Sequence, residues 1–220
     1  MKKILLAGAV ALFGLSNAQI AKGTTYVSGQ LGYSQNENNN NDTKIESFKV
    51  LPTVGYFVNT NLAVGLGVGY KNDKTTVTTE GSIAGANFVN ENKNTTSAFV
   101  VAPFVRKYWT LADKLYIFGQ LEVPMEFGQY KSEKESTSTI GSTTTNTSSS
   151  DKANYTSIGV NIKPGLDYFL NKNWSIEATF GEFGYNTNKL NVDGAKRVND
   201  YKFGLNLSSV TFGVKYVFAK

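Results

Sequence analysis

No cysteine and no histidine occur among the 220 residues, proline appears only four times, and arginine is confined to Arg106 and Arg197. The missing cysteine removes any disulfide framework and any thiolate metal site. The missing histidine takes away the commonest general base and the commonest transition-metal ligand together, so neither a Ser–His nor an Asp–His pair can be built. No glycine-rich phosphate loop follows a strand. These gaps point to a chain without a metal or cofactor site and to no enzyme. The formal charge of +5 is spread thinly, with no basic cluster, so nucleic acid is not an expected partner.

Long apolar runs are nearly as scarce. The single one, Ile4 to Leu15, follows Met1-Lys2-Lys3 and precedes the small residues Ser16-Asn17-Ala18. That is the layout of a secretory signal peptide, which places residues 1–18 in a cleaved leader and starts the mature domain, 19–220, at Gln19. Loss of Lys2 and Lys3 lowers the charge excess to about +3. Beyond Gln19 nothing approaches the roughly 18 apolar residues of a spanning helix. The mature chain is therefore either soluble outside the inner membrane or crosses a membrane as a closed barrel, because open sheet edges leave backbone groups unsatisfied in lipid.

What is abundant is glycine (21), phenylalanine (14) and tyrosine (12), in a pattern of period two. Leu62, Val64, Leu66, Val68 and Tyr70 alternate with Ala63, Gly65, Gly67 and Gly69, and Val210, Phe212, Val214, Tyr216 and Phe218 alternate in the same way near the C-terminus. Such segments are strands with one apolar face. Eight are expected, near 24–34, 44–57, 62–70, 95–109, 115–131, 153–169, 174–185 and 200–218. Phe203, Leu205 and Leu207 follow the opposite parity to the final residues, which predicts a bulge around Ser208-Ser209. The connections alternate in kind: Val58–Asn61, Thr110–Lys114 and Leu170–Asn173 are short, while 35–43, 71–94, 132–152 and 186–199 are long and polar. An up-and-down barrel with both termini in the periplasm sorts its connections this way, into tight periplasmic turns and long extracellular loops. The fold class read from the pattern is all-β, an eight-stranded antiparallel transmembrane barrel.

A repeated hairpin unit supports this reading. Pro52-Thr-Val-Gly-Tyr56-Phe57, Pro103-Phe-Val-Arg-Lys-Tyr108-Trp109 and Pro164-Gly-Leu-Asp-Tyr168-Phe169 each end at a short connection. Together with Trp174, Tyr216 and Phe218, residues Tyr56, Tyr108, Trp109 and Tyr168 form an expected periplasmic aromatic girdle, which Tyr116 joins. A second ring is expected from Tyr33, Tyr70, Phe99, Phe127, Tyr130 and Tyr185. Prolines 52, 103, 124 and 164 all fall inside strands, and bulges are predicted there because a closed barrel has no edge to hold them. By parity the non-apolar face carries Lys49, Arg106, Glu122, Glu126, Lys163, Asp167, Glu177 and Lys215, four charges of each sign. Eight strands enclose only enough space for side chains, so these charges should pair in a plugged lumen rather than line a channel. Glu122 and Glu126 could be offered as a catalytic acid and base, but lumen ion pairs are the stronger reading. Glu182 lies on the apolar parity of its strand, next to Gly181, which marks either a bulge or a position above the lipid.

The C-terminal run Thr211-Phe-Gly213-Val-Lys-Tyr216-Val-Phe218 resembles the assembly signal of outer-membrane barrels, with Thr211, Gly213, Tyr216 and Phe218 at the signal positions; Ala219-Lys220 follow it. With the leader and the connection pattern, the mature chain resembles small outer-membrane barrels of the outer-membrane-protein-X type and the membrane domain of outer membrane protein A. The resemblance implies residence in the outer-membrane lipid of a Gram-negative cell and recognition by the barrel-assembly machinery. Two roles are then expected to compete: a structural, adhesive or surface-interaction barrel with an extracellular partner, and a porin-like conduit for small solutes.

Overall fold

The computed structural model describes residues 20–204 and 210–218, so the leader and the bulge expected at Ser208-Ser209 lie outside the described residues. Among the described residues all regular structure is antiparallel sheet. In chain order the strands are β1 (Thr25–Asn38), β2 (Thr43–Asn59), β3 (Leu62–Ile83), β4 (Ala86–Ala112), β5 (Leu115–Glu122), β6 (Met125–Ile140), β7 (Thr143–Phe169), β8 (Trp174–Thr179), β9 (Glu182–Leu190), β10 (Arg197–Gly204) and β11 (Thr211–Phe218). Three staves of the wall are interrupted, β5 with β6, β8 with β9 and β10 with β11, which leaves eight staves. Each pairs with the next in sequence, and β1 closes the ring on β11 from Thr25↔Phe218 to Gln30↔Gly213.

The tight turns place single residues in left-handed backbone, where Asn and Gly fit readily and Lys and Ala are held by the ladders on either side. Asn61 (φ 57°) and Lys114 (φ 65°) turn the chain at the periplasmic end, and Ala84 (φ 52°) with Gly85 (φ 81°) makes a two-residue turn at the opposite end. That last turn corrects an expectation. The connections 71–94 and 132–152 are not loops: β3 and β4 remain in register from Leu62↔Lys107 to Ile83↔Ala86, and β6 and β7 from Met125↔Ile158 to Ile140↔Thr143. Connection 35–43 shrinks to residues 39–42 and connection 186–199 to residues 191–196. Hydrophobic alternation ends where both faces of the sheet meet water, but Thr-rich strands continue to pair without it.

β4 and β7 each run 27 residues, about 90 Å of extended chain, against the 9–11 residues needed to cross the apolar layer. The apolar stretch of β4, Phe99 to Trp109, has that length. The prolines do not act alike. The register does not shift across Pro52 or Pro103, although the β2–β3 ladder skips Leu51 and Pro52, and around Pro124 the wall merely parts between β5 and β6 without a register change. Only opposite Pro164 does the register shift by one residue, between Gly165↔Thr179 and Ile162↔Phe183. Gly181 sits there at φ 85°, where a Cβ would be strained. This bulge turns Glu182 inward.

The two faces of the wall differ as membrane insertion requires. Val64, Leu66, Val160 and Phe212 are 38, 45, 49 and 64% exposed, whereas Asp167 and Lys215 are fully buried inside. The core is the lumen itself. Its periplasmic half is filled by Tyr26, Phe57, Phe104, Tyr108, Tyr116 and Phe118, with Phe169 packed against them. Glycines on the facing strands make room for these rings: a Cβ on Gly65 would lie 2.4 Å from the Phe104 ring and one on Gly165 would lie 2.2 Å from Phe118, their direct cross-strand partners.

Candidate functional site: the charged lumen and its mouth

Two tiers of charge rise from the aromatic floor. In the lower tier Arg106 and Glu177 pair at 2.5 Å, each at most 2% exposed. Arg106 Nε donates to Gln120 Oε1 (2.8 Å) and Nη1 to the Tyr108 hydroxyl (3.1 Å), while its guanidinium lies 4.2 Å from the Phe118 ring centroid. Ser28 Oγ donates to the other oxygen of Glu177 at 3.2 Å. Lys215 is paired with Asp167 and is surrounded by the rings of Tyr26, Tyr108 and Phe169, 4.9–5.3 Å from its Nζ. Paired, ringed and hydrogen-bonded ions of this kind can be kept out of water; a lone one costs several kcal/mol.

The upper tier is joined to the lower through Gln120, whose Nε2 donates to Glu122 at 2.7 Å. Glu122 pairs with Lys163, Lys163 with Glu182 at 3.3 Å, and Glu182 with Lys202 at 3.5 Å. Beside this line Lys71 pairs with Glu126 at 2.6 Å, and the Tyr155 hydroxyl donates to the same carboxylate at 3.4 Å. A cavity of about 320 Å³ opens above, lined by residues that include Lys49, Lys71, Glu122, Tyr130, Tyr155, Lys163, Glu182, Asn186 and Lys202.

Seven of the eight charges assigned to the lumen from parity thus lie in ion pairs inside the barrel. Lys49 lines the cavity without an ion-pair partner among the described residues. Glu122 and Glu126 do not form an acid–base couple, since each carboxylate is engaged by its own lysine. The parity reading missed Lys71, placed in a loop, and the hydrogen-bonding links Gln120 and Tyr108. Tyr108 is a correction: its partner Trp109 is 45% exposed on the outer face, but Tyr108 is 1% exposed and faces the lumen, as does Tyr116. In the Tyr108-Trp109 pair the register gives the outer position to Trp109. Tyr56, Tyr168, Trp174 and Phe218 are exposed outside, with Tyr216 half-buried beside them, 4.9 Å from Trp174 and 5.0 Å from Phe218 between ring centroids. Of the second ring, Tyr33, Tyr70, Phe99, Phe127 and Tyr185 face outward, and Tyr130 instead stacks on lumenal Tyr155 at 4.3 Å. Thr211 and Gly213 pair across to Thr179 and Glu177 on β8.

A closed antiparallel wall with an apolar exterior and an ion-paired interior defines a transmembrane β-barrel. The outer membrane protein beta-barrel domain model matches residues 5–218, and the chain belongs to that family of outer-membrane proteins. No curated protein is significantly similar to it in sequence. Solved structures with a similar arrangement include the N-terminal β-barrel domain of Pseudomonas aeruginosa OprF, at 10% identity over 90% of this chain and 100% of that one, with a TM-score of 0.39. The attachment invasion locus protein Ail of Yersinia pestis gives 13% identity over 90% and 99%, with a TM-score of 0.36. Neisserial surface protein A gives 13% over 91% and 99%, also with a TM-score of 0.36.

Proposed function

We propose that the chain is a non-enzymatic surface barrel that engages an extracellular partner through the sheet it raises above the membrane, while the barrel below serves as a plugged, salt-bridged anchor. One observation carries this reading. β9 covers β7 only up to Tyr155↔Leu190, so among the described residues Thr143–Ala153 pairs with β6 alone and presents a polar, unpaired edge on one side of the projecting sheet. An exposed edge supplies a row of backbone donors and acceptors to which a partner strand can add. A conduit for small solutes has the aromatic floor against it. Export on residues 1–18 completes the reading, and an intact mass beginning at Gln19 checks it.

Replacing Ser132–Asp151 with Asn-Gly keeps the Lys131↔Lys152 register, shortens the β6–β7 ribbon and removes most of that edge without touching the membrane band. Binding of intact cells to host-cell monolayers should fall several-fold, while the protein in isolated outer membranes keeps its heat-dependent gel mobility. Unchanged binding by cells carrying the shortened ribbon would sink the proposal.

A further inference from the structure

The cavity above the charge tiers contains one lysine, Lys49, that has no ion-pair partner among the described residues. Of the four carboxylates that line the cavity, Glu126 is taken by Lys71, Glu122 by Lys163, and Glu182 by Lys163 and Lys202, while Asp200 is an exposed residue that no ion pair includes. Lys49 enters the same space from β2, where it lies directly across from Lys71. No carboxylate lies within 4 Å of it among the described residues, and Lys163 lines the same cavity. An ammonium group has three donors. Those of Lys49 are not used by any ion pair, and Lys71 and Lys163 each have donors beyond their bonds to carboxylates. Four ammonium groups thus line one pocket; Lys71, Lys163 and Lys202 are paired with glutamates, and Lys49 is the one left to a ligand.

We propose that this cavity is a binding site for a small oxyanion, carboxylate or phosphate, with Lys49 as its anchoring cation. A pocket of about 320 Å³ falls at the lower end of the range typical of small-molecule sites. A lysine acts there as a point charge that accepts any oxyanion geometry, not as the planar fork an arginine would offer. Asn161 and Asn186 line the same wall and bond each other at 3.3 Å, leaving amide donors for further ligand oxygens. The site lies inside the wall on the extracellular side. A soluble anion entering from the mouth and a lipid phosphate reaching over the rim offer the same chemistry, and the assay must separate them. The proposal is independent of the edge-strand reading, because it concerns the lumen.

The test is titration of the refolded full chain with inorganic phosphate at constant ionic strength, followed by backbone amide shifts in zwitterionic detergent free of anionic lipid. Saturable shifts confined to cavity residues, with a dissociation constant at or below about 10 mM, are expected. Lys49→Met should weaken binding at least tenfold, Lys49→Arg should retain it, and Lys22→Met, at the periplasmic end, should leave it unchanged. Absence of saturable shifts in the wild-type chain both with inorganic phosphate in detergent and in vesicles containing a phosphorylated lipid, or equal affinity in Lys49→Met, overturns the proposal. If phosphate fails to saturate in detergent but shifts appear in vesicles containing a phosphorylated lipid, the anion is a headgroup and the soluble-ligand source is rejected. Lys49→Gln serves in place of Lys49→Met should the latter lose its heat-dependent gel mobility.

Discussion

The lower and upper halves of the molecule use the same backbone ladder in opposite surroundings. Below, between Phe99 and Trp109 on β4 and between Ile158 and Tyr168 on β7, one face meets lipid and the other a dry, ion-paired core. Above, the strands stand in water on both sides, and their ion pairs, such as Lys44–Glu46 on β2 at 3.1 Å and Lys131–Glu133 on β6 at 2.6 Å, are solvent-exposed. The lower half therefore holds its stability in side-chain packing, and the upper half in hydrogen bonds between strands. Substitutions should accordingly be felt in proportion to depth.

The largest effect is expected where that difference is sharpest. Glu177→Leu leaves Arg106 buried without its anion, which should cost about 3–5 kcal/mol. The paired change Arg106→Met with Glu177→Leu removes both charges and should recover most of that loss. Urea unfolding in detergent, read by the loss of heat-dependent gel mobility, measures both. If the single and double variants unfold alike, the pair is not what holds the lower tier.

Glycine substitution probes the same boundary with a smaller effect. Gly165→Ala places a Cβ against the Phe118 ring and 2.7 Å from the Ala178 carbonyl, so overpacking should cost about 1–3 kcal/mol. Gly29→Ala, on the lipid face, meets nothing within 4 Å and should change stability by less than about 0.5 kcal/mol. Equal losses at the two positions would contradict the inward packing of the rings.

The same division explains what could be read from the sequence. Val64, Leu66, Val160 and Phe212 could be assigned to the lipid face because lipid on one side and a crowded core on the other impose strict alternation. All eight staves and the inward charges at Arg106, Asp167, Glu177 and Lys215 followed from it. Above the membrane no such contrast exists, so residues 71–94 and 132–152 looked like loops although they are strands. Parity also cannot reveal a one-residue bulge until a residue falls on the wrong face. Glu182 was that residue, with Gly181 as the signal beside it. Tyr108 illustrates the reverse problem: composition placed an aromatic at the girdle, but register, not residue type, decides which of two neighbouring rings meets lipid. Lys71 was hidden because its strand had been ended at Tyr70.

The smallest effect belongs to the upper half. A hydrogen bond from Lys44 holds the Glu46 carboxyl below its ordinary value, with Lys74 adding to the effect from across the ladder at 3.4 Å. A carboxyl whose pKa is lower folded than unfolded contributes stability that is present above its ordinary value, near 4.5, and lost as pH falls through the depressed one. Acidification from pH 6 should therefore leave the β2–β3 rim intact until the pH drops below that ordinary value. Amide exchange at the rim positions Glu46 and Lys74 should then rise before exchange near Thr53 and Gly67, which are paired at lipid depth. Solvent screens such exposed pairs heavily, so the global unfolding midpoint should barely move over the same interval. A midpoint that followed the Glu46 titration would mean that the rim and the barrel below unfold as one unit, and that the projecting sheet is not separable from its anchor.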